Sequence, residues 1–400
     1  MPGPEPHSQI SDAAKGGTSL SDDSFQTDES VRHVKSLDGV RGIAILSVAL
    51  FHSLLFGAGW IGVQIFFVLS GFLITLILVN DSDLPLGFYL KRFYWRRTLR
   101  VFPLYFGYVA VLALVYFVSG HPEVFRRDWP YLLTYTLNFR RIWPDFGTNI
   151  FYGRFWSLAI EEQFYLIWPL LVYLVPRKHL LKLVTTIIFI SPLLRLVASH
   201  LLAHVFPNAT DVAMAIYFIT PCQLDSFAVG AAVALFGRRL SSRAWIILAC
   251  CTVLLVVCGQ LTALAYTGRL ALNTGLGYEI YLDRGSEYVW GYTLINLWAG
   301  AAVLVACSRN WLSTVLSYPW LTYIGKISYG MYVYHQIILY GVYKVTGKTH
   351  SFATLASFLV YFCILLAVSD LSFRFYESKF LALKDKRYTR LQFAALEANR

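Results

Sequence analysis

The sequence predicts an all-α polytopic membrane protein with about ten transmembrane helices and both termini in the cytoplasm. Of its 400 residues, 57% are hydrophobic and only 14% are charged, whereas soluble domains carry about 25% of charged residues. The apolar runs approach the ~20 residues that cross a bilayer as a helix. Basic residues concentrate in alternate connections between these runs, as expected when the connections lie on two sides of a membrane.

The helices are placed where apolar runs are interrupted by Gly, Pro or charged residues. They are expected at residues 38–57, 60–79, 101–119, 155–175, 180–201, 213–236, 244–266, 288–307, 320–343 and 352–374. Residues 1–36 lack apolar periodicity and are expected to form a disordered cytoplasmic tail. Residues 37–380 then form the transmembrane domain, and residues 381–400 form a basic cytoplasmic tail.

The orientation follows from the connections after helices 2, 4, 6 and 10, because positive residues remain on the cytoplasmic side. These connections carry Lys91, Arg92, Arg96, Arg97, Arg100, Arg177, Lys178, Lys182, Arg238, Arg239, Arg243, Lys379, Lys384, Lys386, Arg387, Arg390 and Arg400. The exception is the connection at residues 120–154, with Arg126, Arg127, Arg140, Arg141 and Arg154 expected outside. Topology thus explains the net charge of +11 without nucleic acid as a partner. The scattered cysteines lack metal-ligand spacing, so no metal site is expected.

Arg41 and His52 lie within the first apolar run, where ionisable groups are costly in hydrocarbon. Eleven residues at ~100° each return a helix to within about 20° of its starting azimuth, so both side chains share a face, roughly 16 Å apart along the axis. Such groups normally face a protein interior or a water-filled cavity. Both are therefore candidates for a functional site.

Ser157, Glu161 and Tyr165 recur every four residues and predict a polar stripe on helix 4. With helix 1 running outward and helix 4 inward, Glu161 comes to a depth similar to that of His52. We therefore expect a Glu161–His52 pair in which the carboxylate orients the imidazole; the alternative is a buried pair that only joins two helices. Glu162 is turned ~100° further round and is expected to face another helix or the headgroups.

Arg97 and Arg100 lie three residues apart at the mouth of helix 3. Guanidinium groups bind phosphates bidentately, so the pair suits a donor with several phosphates and a long thin arm, such as a coenzyme A thioester. A generic cytoplasmic anchor is the alternative. Arg195 and Asp225 fall on adjacent helices and are expected to pair. His335 is either a satisfied core histidine or a lining residue.

Several ordered motifs carry a family resemblance. They are Arg41 with His52, residues 62–74, the Arg-x-x-Arg and Pro-x-Tyr pattern of residues 97–105, Trp156-Ser157-Leu158 with Glu161, Phe164 and Tyr165, Ser328-Tyr329 with His335, and Tyr376-Glu377. Together they resemble membrane acyltransferase family 3, whose bacterial members O-acetylate surface polysaccharides, lipopolysaccharide, peptidoglycan or small secreted metabolites. The resemblance spans residue 37 to about residue 380.

The resemblance implies that residues 37–380 transfer an acyl group, usually acetyl, from cytoplasmic acyl-CoA to a hydroxyl outside or within the bacterial inner membrane. The resemblance also implies that five residues matter for this transfer: Arg41, His52, Arg97, Arg100 and Glu161. Gln223 departs from the pattern, because many relatives have Arg there. The chain is expected to lack the fused extracytoplasmic hydrolase-like domain of some relatives, which leaves completion of transfer to the membrane domain or to an envelope-assembly partner protein.

Under this hypothesis acyl-CoA, with acetyl-CoA as the expected donor, binds at Arg97 and Arg100, and its arm passes Arg41 toward His52. His52 acts as general base on a carbohydrate or lipid-linked sugar, and Glu161 stabilises the imidazolium. Membrane lipid, acyl-CoA and this acceptor are the expected partners. Two alternatives remain open: O-acylation of a small secreted metabolite, and a secondary transporter or flippase that uses the buried charges as a solute or proton path.

Overall fold

The structure is a computed structural model that describes residues 34–146, 149–346 and 355–383. Within these ranges the protein is α-helical and contains no β-strand. Its helices are α1 (Lys35–His52), α2 (Ile61–Asn80), α3 (Leu86–Val118), α4 (Pro122–Leu133), α5 (Leu137–Arg140), α6 (Trp156–Leu174), α7 (Arg177–Leu202), α8 (Ala209–Phe218), α9 (Leu224–Leu240), α10 (Ala244–Thr267), α11 (Glu287–Cys307), α12 (Trp311–Leu316), α13 (Pro319–Thr346) and α14 (Leu355–Ser372). Each of the predicted apolar runs overlaps at least one of these helices.

The predicted tails fall mainly on residues 1–33 and 384–400, which lie outside the described residues. At the first boundary, Lys35 and Ser36 already belong to α1. At the second, α14 continues through a π-helical turn, Phe373–Glu377, and residues 381–383 are still helical. The ordered helices thus extend slightly beyond both predicted boundaries.

Helix length and hydropathy agree with a membrane protein. Within the described residues, six helical runs are long and apolar enough to span a membrane: Gly57–Asn80, Leu86–Val118, Arg177–Leu202, Thr220–Thr267, Glu287–Cys307 and Ala356–Leu383. This confirms the all-α membrane class, whereas the count of ten spans and the cytoplasmic side of the termini stay predictions. Three helices that are not among the six, α1, α6 and α13, carry Arg41, Glu161 and His335, whose polarity opposes lipid contact.

Helix α3 begins at Leu86 rather than at residue 101, so most of the predicted basic connection is helical. Pro85 directly precedes it, and the next proline is Pro103, so the basic stretch contains no helix breaker. A helix of 33 residues is about 50 Å long, which exceeds the ~30 Å hydrocarbon core. Arg97 and Arg100 therefore project from one face of a continuous helix.

The sixth predicted helix, residues 213–236, is interrupted. α8 ends at Phe218, and a 3-10 turn at Thr220–Gln223 separates it from α9. Pro221 accounts for the break, because proline lacks a backbone N–H and disfavours helical geometry in the preceding residue. The carbonyl of Phe218 accepts a hydrogen bond from Asn138 at 3.0 Å.

Close packing at the centre of the bundle depends on glycine. A Cβ at Gly230 of α9 would overlap the carbonyl oxygen of Val68 in α2, and a Cβ at Gly325 of α13 would overlap that of Asp38 in α1. Small residues let membrane helices approach closely. α1 therefore lies directly against α13, and both helices supply residues to the candidate site.

Candidate active site

Three cavities lie in series along the interior of the helix bundle. The basic chamber has a volume of about 340 Å³, the middle chamber about 90 Å³ and the histidine chamber about 290 Å³. Arg41, Arg97 and Arg100 line both the basic and the middle chamber. Val63 and Tyr332 line both the middle and the histidine chamber. Adjacent chambers thus share walls, and the series leads from the beginning of α1 to its end.

Cations outnumber acids in the lining of the basic chamber, six to two. Its charged residues are Asp38, Arg41, Asp81, Arg92, Arg96, Arg97, Arg100 and Lys326. Arg41 is paired, with its Nη1 2.8 Å from Asp38 Oδ1. Arg97 and Arg100 form no salt bridge within the described part of the chain. Two adjacent guanidinium groups are therefore available for an anion.

The middle chamber holds the predicted polar stripe of helix 4, which is α6. Ser157, Glu161 and Tyr165 all line it, as their four-residue spacing predicts. Glu161 accepts hydrogen bonds from the Ser70 hydroxyl at 3.2 Å and from the Tyr165 hydroxyl at 3.1 Å. The Arg97 guanidinium lies over the Tyr165 ring, 5.0 Å from its centre. The carboxylate is thus held between α2 and the arginines of α3.

His52 is the last residue of α1 and lines the histidine chamber. Its ring centre is 4.9 Å from that of His335, and its Nε2 is 3.4 Å from Nε2 of Gln336. The predicted Glu161–His52 pair is wrong: no hydrogen bond joins these two described residues, since Glu161 bonds in the middle chamber and Tyr332 stands at the boundary. The prediction compared only the depths of Glu161 and His52 in the membrane. It did not anticipate that α13 packs beside α1 and places His335 and Gln336 next to His52.

His335 is fully buried behind His52. Its Nδ1 lies 2.7 Å from the carbonyl oxygen of Tyr332, and its Nε2 has no hydrogen-bond partner among the described residues. The residues that line the histidine chamber include Tyr332 and Gln336 but not His335. This position favours the core interpretation, with the imidazole packed against the ring of a chamber residue.

Two further arginines, Arg141 and Arg154, line the histidine chamber, although the sequence placed them among external loop charges. Arg154 is only 3% exposed; it donates hydrogen bonds to the Tyr108 hydroxyl at 2.8 Å and to the carbonyl of Val333. Arg141 donates to the carbonyl of Gly153 at 2.7 Å. Charge counting missed both residues. The available signal was the position of Arg154, two residues before the Trp156-Ser157-Leu158 motif of helix 4.

An ionic cluster centred on the buried Asp128 and Arg140, here called the loop clamp, fixes the segment that carries these two arginines. Asp128 of α4 accepts hydrogen bonds from Arg140 Nε at 3.0 Å and from the Tyr152 hydroxyl at 2.8 Å. Arg140 also donates to both oxygens of Asp145, at 2.9 Å each, which holds the pKa of that carboxyl below its ordinary value. The clamp therefore anchors the chain on both sides of the segment to α4.

Arg195 and Asp225 form the buried pair that the sequence predicts, which is thus confirmed. Nη2 and Oδ1 are 2.5 Å apart, and both side chains are fully buried. Thr293 donates to Asp225 at 2.6 Å, and Arg195 donates to the carbonyl of Cys222 at 2.8 Å. The pair joins α7, α9 and α11, and neither residue lines the three chambers. Across the described residues, no group of His, Cys, Asp or Glu is arranged to hold a metal.

The described interior of the helix bundle leads from arginines that can bind an anion, past a carboxylate, to a histidine that can transfer a proton, an arrangement suited to a membrane-embedded group-transfer enzyme. A family model described as "Acyltransferase domain" matches residues 34–374. The chain therefore belongs to acyltransferase family 3.

Named relatives agree with this assignment. The chain is 30% identical over 383 residues to the peptidoglycan O-acetyltransferase OatA of Listeria monocytogenes, with 89% of this chain and 58% of the relative covered. It is 31% identical over 336 residues to YrhL of Bacillus subtilis, provisionally named a peptidoglycan O-acetyltransferase, with 77% and 49% covered. The chain thus spans about half the length of these relatives. No solved structure matches it.

Proposed function

We propose that this enzyme transfers an acetyl group from acetyl-CoA, bound on the cytoplasmic side of the bacterial inner membrane, to a hydroxyl of a cell-envelope carbohydrate. Relatives named as peptidoglycan O-acetyltransferases support this acceptor class. The observation that carries the proposal is the wall shared by the first two chambers, formed by Arg41, Arg97 and Arg100. A donor held there by its phosphates directs its acyl arm into the bundle.

The donor half of the proposal assigns Arg97 and Arg100 to the phosphates of acetyl-CoA. Their guanidinium forks match phosphate oxygens bidentately, and the cationic lining of the basic chamber favours a polyanion. The pantetheine arm then extends through the middle chamber. Glu161 with its partners Ser70 and Tyr165 offers hydrogen bonds to the amides of that arm. We thus reassign the carboxylate from orienting the histidine to holding the donor.

The chemical step takes place at the boundary with the histidine chamber. His52 accepts the proton of the acceptor hydroxyl while that oxygen attacks the thioester carbonyl carbon. The carbon–sulfur bond of the tetrahedral intermediate then breaks, the acetyl ester remains on the acceptor oxygen, and the proton on His52 passes to the departing sulfur. Gln336 and His335 contact the imidazole and hold its ring in place.

The proposal is tested with the purified full-length protein in liposomes, acetyl-CoA labelled in its acetyl group, and peptidoglycan fragments as acceptor. We expect His52→Ala to keep acetyl-CoA affinity and to lose roughly 100-fold or more in turnover. Arg97→Ala combined with Arg100→Ala is expected to weaken acetyl-CoA binding at least about tenfold. Unchanged affinity in the double variant contradicts the donor site. Solute transport without ester formation contradicts the enzymatic function and favours a transporter.

A second measurement identifies the acceptor in cells. Mass spectrometry of envelope glycans and of secreted metabolites is compared between a deletion strain and its parent. We expect O-acetyl groups to disappear from an envelope glycan in the deletion strain. Loss of acetylation from a secreted metabolite alone would replace the carbohydrate by a small-molecule acceptor.

A further inference from the structure

The histidine chamber contains two cations without counter-ions. Its lining includes Arg141 and Arg154 and, among the described residues, no Asp or Glu. Neither arginine forms a salt bridge within the described part of the chain. The adjacent Arg140 differs, because Asp128 and Asp145 both bind it. Carboxylates thus neutralise Arg140, whereas Arg141 and Arg154, which line the chamber, have no counter-ion among the described residues.

Hydrogen bonds to uncharged groups do not neutralise these two charges. Arg154 donates to the carbonyls of Ile150 and Val333, and its buried Nε has no partner among the described residues. Arg141 lies over the ring of Phe218, 4.6 Å from its centre. A buried cation is costly unless a counter-charge compensates it. The chamber is therefore arranged to receive an anion.

The remaining wall of the chamber is largely aromatic. Its aromatic residues are Phe51, Trp60, Trp156, Tyr217, Phe218, Tyr281 and Tyr332. Aromatic rings pack against the apolar face of a pyranose, and pockets with many aromatic residues and a few polar groups suit small ligands. The combination of aromatic faces with two guanidinium groups fits an acidic sugar better than a neutral one.

We propose that the acceptor carries an anionic group, a carboxylate or a phosphate, on the sugar unit that enters the histidine chamber. Arg141 and Arg154 bind this anion, while His52 activates a hydroxyl of the same unit. The inference rests on the proposed function and narrows its acceptor to acidic glycans. It also gives the two arginines a role in acceptor selection that is separate from donor binding at Arg97 and Arg100.

The test measures sugar binding without any acyl donor. Saturation-transfer NMR on the purified full-length protein in micelles compares methyl β-D-glucuronide, glucose 6-phosphate and the neutral methyl β-D-glucoside. We expect at least one anionic sugar to bind about tenfold more tightly than the neutral one, as for hydrogen bonds to charged groups. The carboxylate and phosphate probes distinguish the two sources of charge.

Variants assign the preference to the chamber. Arg141→Gln and Arg154→Gln are each expected to abolish most of the preference, and Arg141→Lys, which retains the charge, is expected to preserve part of it. Arg126→Gln is the matched control, because Arg126 is exposed on α4 and its loss changes the net charge equally. Arg154 also donates a hydrogen bond to the Val333 carbonyl. If Arg154→Gln does not fold for this reason, the result for Arg141→Gln decides the test.

Equal binding of the three sugars, no binding of either anionic sugar, or an unchanged preference in folded Arg141→Gln would overturn the inference. The outcome is distinguishable from failure of the proposed function. Acetyl transfer to a neutral glycan without anion preference overturns this inference alone. Anion binding without any acetyl transfer overturns the proposed function alone.

Discussion

Glu161 and Glu162 are neighbours in sequence but have different surroundings. Glu161 lines the middle chamber and bonds to the hydroxyls of Ser70 and Tyr165. Glu162 is not among the residues that line the three chambers, and it lies within electrostatic range of Tyr105 in α3. The ~100° turn between consecutive helical residues places the first carboxylate on the donor path and the second against another helix.

Glu161→Gln is therefore expected to reduce acetyl transfer at least about tenfold, because the amide keeps the volume but removes a charge that accepts two hydrogen bonds. Glu162→Gln, the matched control, is expected to have a milder effect. The measurement is acetyl transfer in liposomes at equal protein abundance. Near-normal activity of Glu161→Gln together with a loss in Glu162→Gln would show that the assigned register of α6 is incorrect.

Two patterns in the sequence identified chamber residues. Arg41 was identified because an ionisable group on a membrane helix must face the interior, and Arg97 and Arg100, which the sequence placed in a connection, were identified as a guanidinium pair suited to phosphate. Arg141 and Arg154 were not, because no local pattern fixes the path of the segment that carries them. Contacts distant in sequence, such as the bond between Arg154 and the carbonyl of Val333, determine that path.

At the scale of structural elements, the loop clamp predicts a stability difference between two aspartates. Asp128 is buried and binds Arg140, whereas Asp145 is 65% exposed on its side chain. Asp128→Asn is expected to lower the free energy of unfolding by roughly 1.5–3 kcal/mol, as for loss of hydrogen bonds to a buried charged group. It is also expected to lower acetyl transfer, because Arg141 and Arg154 are no longer held in place. Asp145→Asn is expected to lower the free energy of unfolding by less than Asp128→Asn does. Thermal unfolding in detergent measures both, and equal effects would contradict an anchoring role for Asp128.

The contact between α2 and α9 makes a second prediction at this scale. Gly230→Ala is expected to destabilise the protein by about 1–3 kcal/mol, because the added methyl group meets the carbonyl of Val68 in a packed interior. Gly87→Ala is the control, since a Cβ added at Gly87 in α3 would meet no described atom within 4 Å beyond its own stretch of helix. It should be neutral or stabilising by ~0.5–1 kcal/mol. Thermal unfolding of both variants tests this, and equal stability contradicts the close packing.

The existence of the apolar helices was predictable, because runs of this length and hydropathy have few alternatives in a bilayer. Two helix boundaries, however, were not predictable from the sequence. The stretch before residue 101 was assigned to a connection because of its charges, yet basic residues are also good helix formers. The break before α9 depends on Pro221, whose effect was hidden within an otherwise apolar run.

At the scale of the whole molecule, orientation determines which chamber faces the cytoplasm. Gly87 belongs to the end of the bundle that holds the basic chamber, and the side chain of Leu272 in the connection before α11 is 89% exposed. In a cysteine-free background, Gly87→Cys is expected to resist a membrane-impermeant maleimide in intact cells, and Leu272→Cys is expected to react with it. The reverse result would place the basic chamber outside and contradict a cytoplasmic donor.

The series of chambers predicts that one molecule of donor spans from Arg97 and Arg100 to His52. Bromoacetyl-CoA tests this most directly, because its reactive carbon alkylates a nucleophile next to the acyl position while the phosphates remain bound. Peptide mass spectrometry is expected to find the adduct on His52, and the adduct should be lost from the Arg97→Ala, Arg100→Ala double variant. Labelling confined to other residues, or labelling of His52 that persists in the double variant, would contradict a continuous donor path.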